Sequence, residues 1–157
     1  MIVCAALALA LAVAVEDARS CRIRNSFCLA MAALGLAFQA VRIWAPELSG
    51  VLAFHLADET SAPQAVLAAA LLVLLCGAAL ELAWRRIHGA CGMGLGDIKY
   101  IAAWATLLGP GIFVPLAAAA LMGALVTLVQ KKKRFAFGPY LSVAFSCMLV
   151  LLSSDIL

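Results

Sequence analysis

The sequence predicts an all-α membrane helix bundle, a single membrane-embedded domain over residues 1–157, and three observations carry that reading. Two-thirds of the residues are hydrophobic (67%), only 12% are charged, and the mean hydropathy is +1.12. Soluble domains carry roughly 25% charged residues, and a chain of 16.4 kDa leaves too much surface exposed to hide so large an apolar fraction from water. The apolar residues also fall into six runs separated by charges or turn residues, and the basic residues gather in alternate connections. Together these exclude a soluble globular domain, a disordered chain, a disulfide scaffold and a nucleic-acid-binding domain.

The first run, Met1–Val15, stops at Glu16-Asp17. It lacks the basic flank of a secretory signal and is read as a span. The second, Ser26–Ala45, is broken only by Gln39 and Arg42 and ends before Pro46. Glu47–Ser61 is mixed and reads as a connecting loop. Pro63–Trp84 is a clear span closed by Arg85-Arg86. After the glycine-rich stretch Gly89–Gly96, Ile98–Leu108 ends at Gly109-Pro110-Gly111. Ile112–Val129 is halted by Gln130 and the block Lys131–Arg134, and Tyr140–Leu152 comes last. A spanning helix needs about 20 apolar residues, fewer inside a bundle, so about six transmembrane helices are expected, two of them short.

The charges orient this bundle. With the N-terminus outside, the inner connections are 16–25, 85–97 and 130–138. They hold Arg19, Arg22, Arg24, Arg85, Arg86, Lys131, Lys132, Lys133 and Arg134, with Lys99 at the same edge; of the 11 Lys and Arg, only Arg42 lies toward the other side. The outer connections carry Glu47, Asp58, Glu59 and Asp155. Basic residues in short loops mark the cytoplasmic side, so both termini are expected outside the cytoplasm. That role accounts for Lys131–Arg134 without a nucleic-acid partner, and membrane lipid is the surrounding expected from composition. The six cysteines form no C-x-x-C pair and read as small buried side chains. His88 and Cys91 lie three apart without a third ligand, so no metal site is expected.

Charges near a bilayer are costly and draw attention to themselves. Glu81 and Arg85 have the spacing of an i,i+4 ion pair near a helix end, with snorkelling of the long side chains, and Gln39 and Arg42 are read in the same way. Asp17 and Asp97 differ. The topology puts both at one membrane edge although eighty residues separate them. Gly92, Gly94 and Gly96 clear the approach to Asp97 and let another backbone come close. Two neighbouring carboxyls cannot both ionise cheaply and titrate as a pair. One can then activate water while the other protonates or polarises a peptide carbonyl. On these residues alone, the competing reading is that both aspartates cap their helices at the interface.

The stretch Gly92-Met93-Gly94-Leu95-Gly96-Asp97-Ile98-Lys99 resembles the G-x-G-D-x-K signature of the type IV prepilin peptidases, a family of bacterial membrane aspartic proteases. Asp17, Arg19, Ile23 and Asn25 resemble that family's D-x-R-x-x-x-I-P-N pattern, and the spacing selects Asp17 over Glu16. Phe137-Gly138-Pro139-Tyr140-Leu141 resembles its P-F-G-P-F-L stretch before the last helix. The three motifs occur in order and extend over essentially the whole chain. Arg24 and Ala136 stand where the family has proline, which would loosen those loops, since proline fixes φ.

The resemblance implies an aspartic endopeptidase with Asp17 and Asp97 as its catalytic pair and no cofactor. Arg19, Ile23, Asn25, Gly92, Gly94, Gly96, Lys99, Phe137, Gly138 and Pro139 would support that pair. It implies removal of a basic leader after glycine, at the cytoplasmic face of the bacterial inner membrane. The substrate would be a prepilin or pseudopilin whose next segment is a hydrophobic helix. The paired C-x-x-C motifs of the larger, methylating members are missing, so the chain is similar to the short form, such as those serving tight-adherence (Flp-type) pili. Lys99 matches the signature, yet two residues after Asp97 on a helix it does not share that residue's face. The alternative from another class is a catalytically silent assembly subunit of a pilus or type II secretion system.

Overall fold

The structure is a computed structural model that describes residues 2–45, 62–89, 92–130 and 136–153. The expected Glu47–Ser61 connection and the Lys131–Arg134 block lie outside the described residues. Among the described residues the chain is helical, with no strand: α1 (Ile2–Ser20), α2 (Asn25–Trp44), α3 (Pro63–His88), α4 (Leu95–Leu108), a 3₁₀ turn (Gly109–Ile112), α5 (Phe113–Gln130) and α6 (Gly138–Ser153). Local chemistry sets several of these ends. Pro63 opens α3 at a position where its missing N–H costs nothing. Gly89, at φ 66°, closes α3 with its N–H on the Arg85 carbonyl at 3.0 Å. Cys21 does the same for α1 at φ 48°, its N–H 2.7 Å from the Asp17 carbonyl.

Each apolar run of the sequence falls on a helix. Three helical stretches are long and apolar enough to cross a membrane: Asn25–Trp44, Pro63–His88 and Leu95–Leu128, the last running through α4, the 3₁₀ turn and α5. α6 is apolar but shorter. Two boundaries differ from expectation in a way that matters below. α1 continues past Val15, where the apolar run stops, to Ser20, so Asp17 lies within its last turns. α4 starts at Leu95, which places Asp97 in its first turn.

α4 is the centre of the bundle. A helix that is apolar on every side must be surrounded, and here Ile98 and every residue from Tyr100 to Leu108 are buried. α2 and α3 pack against it, while α6 packs against α1 and α5. Trp104 of α4 and Phe145 of α6 have ring centroids 5.5 Å apart, with Tyr100 edge-on to Trp104 at 6.4 Å. The Tyr100 hydroxyl and the Ser142 hydroxyl hydrogen-bond at 2.9 Å, joining α4 to α6. α2 lies close against α4 at Gly35, where a Cβ would run into the Thr106 side chain. Membrane bundles use small residues for this purpose, because tight packing replaces the hydrophobic drive that lipid removes.

Gln39 corrects an expectation. It does not snorkel: it is buried, and its Nε2 donates to the Thr106 carbonyl at 3.2 Å. That carbonyl lies in the last turn of α4, where no intrahelical donor remains. Arg42 completes the chain by donating from Nη1 to Gln39 Oε1 at 3.2 Å.

Candidate functional site

The buried face of α1 is a stripe of Ala6, Ala10, Val13 and Asp17. Asp17 is thus the polar end of an otherwise small and apolar seam, and only 3% of it is exposed. Its Oδ2 accepts the Gly138 backbone N–H at 2.9 Å. Gly138 is the first residue of α6, so this N–H is one a helix leaves unpaired, at the helix end that favours negative charge. A Cβ at position 138 would stand 2.7 Å from Asp17 Oδ2, so the contact requires glycine. Burial pushes the Asp17 carboxyl above the usual carboxylate range, and the Gly138 N–H pulls it partly back. Its neighbour Glu16 turns outward to Arg24, 3.7 Å away and mostly exposed. That pairing gives Arg24 a partner where the family pattern has proline.

Asp97 is positioned from α4. Gly94 is the N-cap in an extended conformation, and its carbonyl accepts the N–H of Asp97 at 3.0 Å and of Ile98 at 3.3 Å. Asp97 is therefore the third helical residue, from which an acidic side chain folds back over its own N-cap. Its Oδ2 lies 3.0 Å from where a Gly94 Cβ would be. The charge of Asp17 reaches the Asp97 carboxyl, so residues eighty apart in sequence occupy one electrostatic site.

The remaining predicted residues cluster round this pair with few exceptions. Gly96 packs on the loop after α1, its missing Cβ 3.4 Å from the Ile23 carbonyl oxygen. Lys99 Nζ donates to Asn25 Oδ1 at 3.3 Å, which ties the first motif to the second and gives Lys99 a place. Cys28 Sγ lies 3.9 Å from the Gly96 carbonyl oxygen on the same seam. Phe137 packs against the core, and its carbonyl accepts the Tyr140 and Leu141 N–H groups at the start of α6, with Pro139 the second residue of that helix. Gly92 lies against Trp84 and Glu81. Arg19 stands apart, exposed in the last turn of α1 beside a shallow recess shared with Glu16, Ser20 and Arg24.

Glu81 was expected as an interfacial, snorkelling partner of Arg85. The ion pair is present at 2.6 Å, but the carboxyl is buried and also accepts the Met93 backbone N–H at 2.8 Å. The signal available in the sequence was its register, since Val66, Ala70 and Glu81 fall on one buried face of α3.

A groove of about 520 Å³ lies between α2 (Leu29, Ala32, Leu36) and α3 (Leu67, Leu71, Leu74), floored by Ala102, Ala103 and Thr106 of α4, and neither aspartate lines it. Its polar lining includes Asn25 and Lys99 at the end nearest Asp97. Among the described residues, no group of three or more His, Cys, Asp or Glu is placed to hold a metal ion. What the arrangement offers is a pair of interacting carboxyls, each beside a helix N-terminus, next to an apolar groove.

No curated protein and no solved structure matches the chain. The sequence model of the type IV leader peptidase family matches residues 4–128. The match takes in α1 through most of α5, with Asp17, Asn25, the Gly92–Asp97 stretch and Lys99, and stops short of Phe137-Gly138-Pro139. With the match extending over both helices that carry Asp17 and Asp97, this multi-pass helical membrane protein belongs to the type IV leader peptidase family.

Proposed function

We propose that the chain is an aspartic endopeptidase that removes the leader of prepilins or pseudopilins, with Asp17 and Asp97 acting as a proton-sharing pair. The observation that carries this reading is that the first and last motifs converge on Asp17, through α1 and Gly138, while α4 brings Asp97 within reach of its charge. Of two carboxyls that feel each other, one holds a proton that the other lacks. The ionised member takes a proton from water as the hydroxide oxygen bonds to the scissile carbonyl carbon. The protonated member gives its proton to the carbonyl oxygen. When the tetrahedral carbon collapses, the C–N bond breaks, the leaving nitrogen takes the proton that the first carboxyl drew from water, and a diol hydroxyl returns its proton to the second carboxyl as the carbonyl re-forms, which restores the pair.

The groove beside Asn25 and Lys99 supports a substrate whose hydrophobic helix lies along α2 and α3 with its leader junction at the acids. Arg19, Arg22, Arg24, Arg85, Arg86 and Lys99 lie near the end of the bundle that holds the acids, which supports a cytoplasmic site in the bacterial inner membrane. Six spans, with both termini outside, complete this reading. The small substrate class, Flp-type pilins, follows from resemblance to the short family form.

The test is co-expression with a candidate prepilin and measurement of its mass in membranes. Asp17→Asn and Asp97→Asn are each expected to lower cleavage at least about 1,000-fold while accumulation persists. Leader removal that survives in either variant overturns the two-acid mechanism. Normal pilin processing with failed pilus assembly, after the gene is removed, would instead establish an assembly subunit without peptidase activity.

A further inference from the structure

Glu81 has more bonding than an ion pair at a helix end requires. A surface i,i+4 pair keeps both heads in water, whereas Glu81 is 4% exposed. A carboxylate taken out of water must have its oxygens hydrogen-bonded. Arg85 Nε supplies one bond, to Oε1 at 2.6 Å, and the Met93 backbone N–H supplies another, to Oε2 at 2.8 Å. The chain at Gly92 lies directly on this carboxyl, since a Cβ there would be 3.1 Å from Oε2 and 2.9 Å from Trp84 Cδ1. One residue beyond Met93 is Gly94, the N-cap of α4, over which the Asp97 carboxyl folds.

We propose that Glu81 is a positioning residue for Asp97. Its charge fixes the Met93 backbone, Met93 fixes the N-cap, and the N-cap sets where the Asp97 carboxyl stands relative to Asp17. Arg85 orients Glu81 through its bond to Oε1. This inference rests on the peptidase reading for its kinetic consequence, though not for its structural one.

The experiment compares purified full-length chain in liposomes with three variants, reading steady-state prepilin cleavage and hydrogen exchange in the 92–97 segment. Glu81→Gln keeps the length and one acceptor oxygen; it is expected to lower kcat about 10-fold with KM unchanged. Glu81→Ala is expected to lower kcat about 100-fold, since small misplacements of a reacting group cost that much. The exchanged pair Glu81→Arg with Arg85→Glu restores opposite charges but offers Met93 no acceptor at position 81, so it is expected to stay as impaired as Glu81→Ala. Exchange in the 92–97 segment is expected to quicken about 10-fold in Glu81→Gln. Unchanged kcat, a raised KM at constant kcat, or recovery in the exchanged pair would each overturn the proposal. If Glu81→Ala fails to accumulate, the other two variants decide it. A wild-type chain inert toward prepilins refutes the peptidase reading alone, and unchanged exchange in Glu81→Gln then refutes the tether independently.

Discussion

The two halves of this bundle are held together by different means. At the half that carries the aspartates, carboxylates accept backbone N–H groups from other parts of the chain: Asp17 from Gly138 at the start of α6, and Glu81 from Met93 ahead of α4. Farther along, cohesion comes from close backbone approach at Gly35, from Val66 against Gly109, and from one neutral amide, Gln39, on the Thr106 carbonyl. Charge-assisted hydrogen bonds have directional demands that packing lacks. They fix where an oxygen points at the cost of taking charge out of water. Packing fixes only how near two helices lie. The difference separates residues whose task is aim from residues whose task is cohesion, and substitutions should separate along the same line.

Among the three substitutions that probe this line, the largest effect on activity is expected from Gly138→Ala. Its Cβ would fall 2.7 Å from Asp17 Oδ2 and 3.0 Å from Asp17 Cγ, so the carboxyl must turn away. Prepilin cleavage is expected to drop about 100-fold, with thermal unfolding in detergent little changed. A variant that cleaves normally would show that the Asp17–Gly138 contact has no part in aiming the acid. Gly35→Ala should do the opposite. Its Cβ collides with Thr106, and overpacking of this kind costs about 1–3 kcal/mol. The expected reading is a lower Tm with cleavage intact below it. Equal loss of activity and stability would dissolve the distinction between the halves. Smallest of all is Arg24→Ala, which removes an exposed contact of 3.7 Å to Glu16. Such pairs contribute about 0–1 kcal/mol, so neither Tm nor cleavage should move measurably. A strong effect there would assign the position a part in substrate handling.

The helices were legible in the sequence because apolar runs stopped by charges leave little ambiguity about where membrane-length helices lie. Asp97 was legible with its glycines. What escaped was where polar side chains turn. Asp17 was read at the membrane edge because apolar character ends at Val15, and the helix itself runs on to Ser20. Inside that helix Asp17 turns inward to a donor 121 residues away, a partner that local pattern cannot announce. Register did carry a clue, since Asp17 falls in line with Ala6, Ala10 and Val13. Glu81 and Gln39 were read as snorkelling for a related reason. The i,i+4 rule sees Arg85 beside Glu81 and is right about it, yet it cannot see Met93. Near a helix end, the same side chain can reach water or reach the next loop, and only the tertiary fold decides which.

The bond between Asp17 and Gly138 also has a consequence for biosynthesis. Both aspartates are translated by residue 97, and at that stage the nascent chain already contains α1 to α3 and the start of α4. The backbone N–H that holds Asp17 is made only with residue 138. Until α6 emerges and docks against α1, the first acid is on hand without its holder. On the peptidase reading, the first acid therefore gains its holder only after the second acid has already been made.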